Sequence, residues 1–114
     1  PYAGEFIWTQ QSNVFGWTAL LGAAPGGDAV SPYAAAARAT DLTRLPPTYI
    51  AVGALDLFLE ENLDYARRLT RAGVPVELHV YPGAFHAFQF ATDSALSKTA
   101  WLDSQRALER ILKP

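Results

Sequence analysis

A chain of 114 residues, half of them apolar, is long enough for one small folded domain with its own core, which argues against disorder. Nine basic and eleven acidic residues leave a formal charge of −2 with no run of like charge, so neither nucleic acid nor an anionic lipid surface is a natural partner. Gly, Pro or charged residues interrupt every apolar stretch before the roughly 20 residues that a spanning helix needs, and the absence of cysteine removes disulfides and thiolate metal sites while leaving the compartment open.

Residues 1–30 mix Tyr2, Phe6, Trp8, Phe15 and Trp17 with a Gly- and Pro-rich close. A helix is expected over about 11–21, with Ser12 as N-cap and Gly22 as its stop. Trp8, Phe15 and Trp17 read as packing residues, with a contribution to a substrate pocket as the alternative, since so many aromatics on a free surface would be costly. Residues 31–47 run through an alanine-rich stretch to Leu45-Pro46-Pro47, where two prolines forbid a helix and launch an extended segment.

Thr48 to Gly53 is short, β-branched and apolar, as in a parallel strand buried on both faces. Asp56 lies just past its carboxyl end. From Leu59 to Ala72 an apolar stripe of Leu59, Leu63, Ala66 and Leu69 marks a helix. Glu60 and Glu61 suit its N-terminal dipole, the arginines suit its last turns, and Gly73 stops it.

Val76 to Tyr81 alternates, with Val76, Leu78 and Val80 on a covered face and Glu77, His79 and Tyr81 on a polar one. This fits an edge strand, and it is the segment through which two copies would pair as a homodimer. His79 is expected to be exposed. A last helix, from Asp93 or Ser94 to Leu112, is expected to bury Trp101, Leu108, Ile111 and Leu112.

The order β, α, β, α over residues 48–114, preceded by a helix and connecting segment over 1–47, implies an α/β class with two parallel strands and flanking helices. Two strands make an incomplete sheet, so both are expected to need neighbours. In open α/β sheets, functional residues gather beyond the carboxyl ends of the strands, where Asp56 and His86 both fall. An isolated histidine is more often a turn residue, and Asp56 alone is as readily a helix cap. Here, however, Pro82-Gly83 bends the chain out of its strand and Phe85 and Phe88 anchor the loop around His86.

An acid and a histidine in this order suit nucleophilic catalysis. The imidazole removes the proton of a serine hydroxyl, and the carboxylate holds the imidazole in the required tautomer. A metal site from Glu77, His79 and His86 lacks the short ligand spacings of zinc enzymes.

Three stretches carry a resemblance: Ser31-Pro32-Tyr33-Ala34-Ala35; Leu45-Pro46-Pro47-Thr48-Tyr49-Ile50-Ala51-Val52-Gly53 leading to Asp56; and Ala72-Gly73-Val74-Pro75-Val76-Glu77-Leu78 leading to Tyr81-Pro82-Gly83-Ala84-Phe85-His86. Together they resemble the carboxyl-terminal portion of bacterial carboxylesterases similar to hormone-sensitive lipase. The resemblance implies an α/β-hydrolase fold with Asp56 as triad acid, His86 as triad base and a serine nucleophile. It also implies small-molecule carboxylic esters of short or medium acyl chain as substrates, hydrolysed without metal or organic cofactor.

None of Ser12, Ser31, Ser94, Ser97 and Ser104 stands in a Gly-x-Ser-x-Gly elbow, and no His-Gly-Gly motif is present. The 114 residues therefore read as one part of a single hydrolase domain. They are expected to work with its remaining amino-terminal part and not to turn over esters alone. Two positions depart from the family pattern: Ala87, where Gly usually follows the histidine, and Leu59, where a polar residue often follows the acid. A prolyl-oligopeptidase-like serine peptidase and a non-catalytic binding or assembly protein on the same scaffold are the alternative readings.

Overall fold

The computed structural model describes residues 2–113. Helix α1 spans Gln10–Leu21, strand β1 Thr48–Gly53, helix α2 Leu59–Arg71, strand β2 Val76–Tyr81 and helix α3 Ala95–Leu112, with single 3-10 turns at Ala36–Arg38 and Phe88–Phe90. The strands pair in parallel, in a register running from Thr48 opposite Val76 to Gly53 opposite Tyr81. Both therefore end at the same level.

Helix α2 packs on the sheet face of Ile50 and Leu78, where Leu42, Ala66, Leu69 and Val74 close the main core cluster. Leu69 is fully buried, as its place in the apolar stripe requires. The guanidinium of Arg68 donates to the carbonyls of Ala37 and Ala39, tying the 36–38 turn to this helix. Gly73 takes the left-handed conformation, with φ 82°, that ends α2 and lets Val74 turn back toward Leu69.

Helix α3 covers the opposite face, where Tyr81, Ala84, Phe88 and Ala100 form a second cluster. Its buried residues are Ser97, Ala100 and Ala107, not the large apolar residues expected from the sequence. Trp101, Leu108 and Leu112 are each more than half exposed, and Ile111 is half-buried. Small side chains at helical spacing let the backbone approach the sheet closely, and the bulky residues fall outside that narrow face.

Three further expectations are corrected. Thr9, not Ser12, caps α1: its side chain accepts from the Ser12 amide at 3.3 Å, while Gly22 ends the helix with φ 68°. Strand β1 is not covered on both faces, because Ala51 is exposed while Ile50 and Val52 are buried. On β2 the apolar Val80 is exposed, whereas Tyr81 is buried and His79 only half-exposed. The polar face of that strand is the one that α3 covers.

Under α3 the polar side chains find partners. His79 Nε2 lies 2.8 Å from Glu77 Oε1, and the His79 ring packs against both Tyr49 and Tyr81. The Tyr81 hydroxyl donates to Asp103 Oδ2 at 2.9 Å. Arg110 pairs with Glu77 and, together with the His79 contact, holds the Glu77 carboxyl below its usual range. Burial, reinforced by hydrogen bonds with Tyr49 and Asp103, pushes the Tyr81 phenol well above its ordinary value.

Candidate active site

Two loops leave the carboxyl ends of β1 and β2 and are stitched together by their backbones. The Ala54 amide donates to the Tyr81 carbonyl and the Leu55 amide to the Ala84 carbonyl, both at 2.9 Å. Gly53 permits this approach, since a β-carbon there would lie 2.3 Å from the Ala84 carbonyl oxygen. The first loop carries Asp56 and the second His86.

Asp56 is buried and uses its two carboxylate oxygens on different elements. Oδ1 accepts from the Phe58 amide at 2.9 Å, turning the chain into α2, and Oδ2 faces His86 Nδ1 at 3.1 Å. A carboxylate oxygen can only accept, so the proton of that contact sits on Nδ1 and leaves Nε2 as the basic nitrogen. The helix-approach role and the histidine contact coexist in one side chain.

The His86 ring is flanked by aromatics. Phe58 meets it edge-on with centroids 5.6 Å apart, and Trp8 lies 6.0 Å away on a tilted plane. Residues after His86 are fixed from α3: the buried Ser97 hydroxyl donates to the Phe88 carbonyl at 2.7 Å, and the Trp101 indole to the Gln89 carbonyl at 3.2 Å. Ala87 occupies the left-handed region at φ 60°, the conformation that favours glycine.

The amino-terminal segment lies over both loops. The Gly4 amide donates to the Leu55 carbonyl at 2.9 Å, and Phe6 reaches Phe85. Of the three aromatics read as packing residues, Trp8 and Trp17 are half-buried and Phe15 is exposed. Nothing in the sequence pairs Trp8 with a residue 78 positions away. Its closeness to His86 comes from the path of the chain alone.

Among the described residues no group of three His, Asp or Glu side chains is arranged to hold a metal ion. His79 and His86 have different surroundings: the first sits among Glu77, Tyr81 and Asp103 under α3, the second beside Asp56 at the strand ends. No serine hydroxyl hydrogen-bonds to His86 among the described residues. No described helix is long and apolar enough to cross a membrane.

Comparison with known proteins follows the same outline. Residues 1–90 match the protein family described as alpha/beta hydrolase fold. Esterase LipI of Mycobacterium tuberculosis is 41% identical over 51 residues, a stretch that covers 45% of this chain and 16% of LipI. A solved bacterial heroin esterase superposes with a TM-score of 0.76 at 43% identity over 81% of this chain. The crystal structure of esterase LipW from Mycobacterium marinum does so with a TM-score of 0.84 at 33% identity over 93% of it. The chain spans 29% of the first structure and 33% of the second.

Proposed function

The chain belongs to the α/β-hydrolase fold family, among bacterial esterases of the hormone-sensitive-lipase type, and from that membership we propose that it supplies the acid and base of a serine carboxylesterase. Asp56 is the acid and His86 the base. The observation that carries this reading is the 3.1 Å contact between Asp56 Oδ2 and His86 Nδ1 at the carboxyl ends of two adjacent parallel strands.

In this reading His86 Nε2 takes the proton of a serine hydroxyl as its oxygen attacks the ester carbonyl carbon. Asp56 fixes the tautomer and stabilises the imidazolium that forms. The serine and the donors of the oxyanion hole come from outside these 114 residues. The substrates are small carboxylic esters of short to medium acyl chain, cleaved through an acyl-enzyme without a cofactor.

The test is p-nitrophenyl acetate hydrolysis by the catalytically complete protein and its Asp56→Asn and His86→Ala variants. Each variant is expected to lose on the order of 10³-fold or more in kcat with its fold intact. Rates equal to those of the unsubstituted protein would remove both assignments. Robust hydrolysis by the 114-residue chain itself, abolished in His86→Ala, would instead place a nucleophile within it.

A further inference from the structure

Beside the Asp56–His86 contact lies an open cleft of about 340 Å³, lined by Trp8, Gly16, Trp17, Leu20 and Phe58, with the His86 ring in its wall. Its surface is almost wholly apolar. The Asn13 side chain accepts from the Trp8 indole N–H at 3.3 Å, so the polar atom of Trp8 is satisfied within the chain and the ring remains an apolar wall. The volume lies at the small end of the roughly 300–1,000 Å³ range of ligand pockets.

Two backbone features build this wall. Ile7, a β-branched residue, sits in the left-handed region at φ 62°, a costly conformation directly before Trp8. Gly16 lies on α1 where a β-carbon would reach the Trp8 ring at 3.4 Å. A longer side chain at that position would extend into the space beside Trp8.

We propose that this cleft receives the alcohol part of the ester and favours planar, apolar alcohols. The proposal rests on the acid–base reading above. In acyl transfer the nucleophile oxygen bonds to the carbonyl carbon and the bond from that carbon to the alkoxy oxygen breaks. The proton that the imidazole took from the nucleophile passes to the departing oxygen, which leaves as the alcohol.

The departing oxygen must therefore come within hydrogen-bond reach of the base, about 2.6–3.2 Å. The acyl group lies across the carbonyl carbon, away from it. Space that opens beside the His86 ring is thus on the alcohol side. Its walls are the faces and edges of two indoles and a phenyl ring, which gain most from a flat aromatic guest in stacked or edge-on contact.

The test uses the catalytically complete protein with benzyl alcohol, the alcohol of a benzyl ester, and with sodium acetate as an acyl-side control. The indole N–H resonances of Trp8 and Trp17 report on the cleft, and that of Trp101, held by Gln89 on the α3 side, serves as an internal reference. Benzyl alcohol is expected to shift the first two saturably and leave Trp101 in place, while acetate shifts none. Gly16→Leu, which replaces a poor helix former and so keeps α1, is expected to weaken binding by about tenfold or more. Leu20→Ser, at an exposed position of α1, is expected to weaken it less.

No saturable shift, equal shifts at all three indoles, or binding unaffected by Gly16→Leu would overturn the proposal. A His86-dependent esterase whose chain binds no benzyl alcohol removes this inference alone. An esterase rate indifferent to His86→Ala removes the acid–base reading, and the assignment of the alcohol side goes with it.

Discussion

Gly53 and Ala84 approach so closely that a single added methyl on the glycine would overlap the alanine carbonyl oxygen. Gly53 is the last residue of β1 and lies three positions before Asp56; Ala84 lies two before His86. The spacing of Asp56 and His86 is thus anchored one step back from their side chains, in a backbone contact that tolerates no β-carbon.

Gly53→Ala is therefore expected to be a damaging conservative change. Relieving the overlap requires the two loops to part and lose the Leu55 to Ala84 hydrogen bond, at a cost of about 2–3 kcal/mol. Urea denaturation measures the loss. A midpoint within error of the unsubstituted chain would show that the loops move apart freely.

Ala87 offers the opposite case. It holds a left-handed backbone that costs an L-residue roughly 1–2 kcal/mol, whereas glycine adopts it freely. Allowing for the larger entropy of glycine in the unfolded chain, Ala87→Gly is expected to stabilise by about 1 kcal/mol. An increase in urea midpoint at unchanged m-value is the signature.

The two oxygens of Asp56 separate its two tasks. Asn retains a carbonyl oxygen to accept from the Phe58 amide, so Asp56→Asn is expected to preserve the entry into α2 at a cost below about 1 kcal/mol. Asp56→Ala loses that acceptor as well and is expected to cost about 1–2 kcal/mol more. Thermal or urea unfolding of both variants provides the comparison; equal losses would mean that the bond to Phe58 contributes nothing.

Tyr81 makes stability sensitive to alkali. Burial first, then the hydrogen bonds with Tyr49 and Asp103, raise its folded pKa, so the folded state keeps a proton that the unfolded chain releases near pH 10. Its contribution is full below about pH 10 and is lost as pH rises above that value toward the folded pKa. Denaturant midpoints taken from about pH 9 to about pH 11 are expected to fall more steeply than those of Tyr81→Phe. Parallel slopes would contradict this.

The parts of the fold that follow periodicity were legible in the sequence. Helix α2 matches its expected stripe because Ala66 and Leu69 pack in one cluster with Ile50 of the sheet, and both strands begin and end where Pro and Gly punctuate them. That Asp56 and His86 meet was legible for a simpler reason: polar residues just past two adjacent parallel strand ends have one common region to occupy.

Helix α3 defeated the same reasoning. Hydropathy ranks Trp101, Leu108 and Leu112 above Ser97, Ala100 and Ala107, yet distance to the sheet selects for size, and the small residues won. His79 was misjudged because alternation along β2 says nothing of a helix that arrives later in the chain to cover the polar face. The contact of Trp8 with His86 lies beyond any local pattern.

Insertions and deletions are the changes to which this arrangement responds most unevenly. Strands β1 and β2 finish in register, Gly53 opposite Tyr81, and each residue of a strand spans about 3.3 Å and reverses the facing of its side chain. One residue lost within β2 would draw His86 back by that length and present its loop from the wrong face, while one residue gained in the exposed turn at Gly73 would leave the strand ends where they are. Length variation in relatives of this chain should accordingly collect between α2 and β2 and be excluded from the strands themselves.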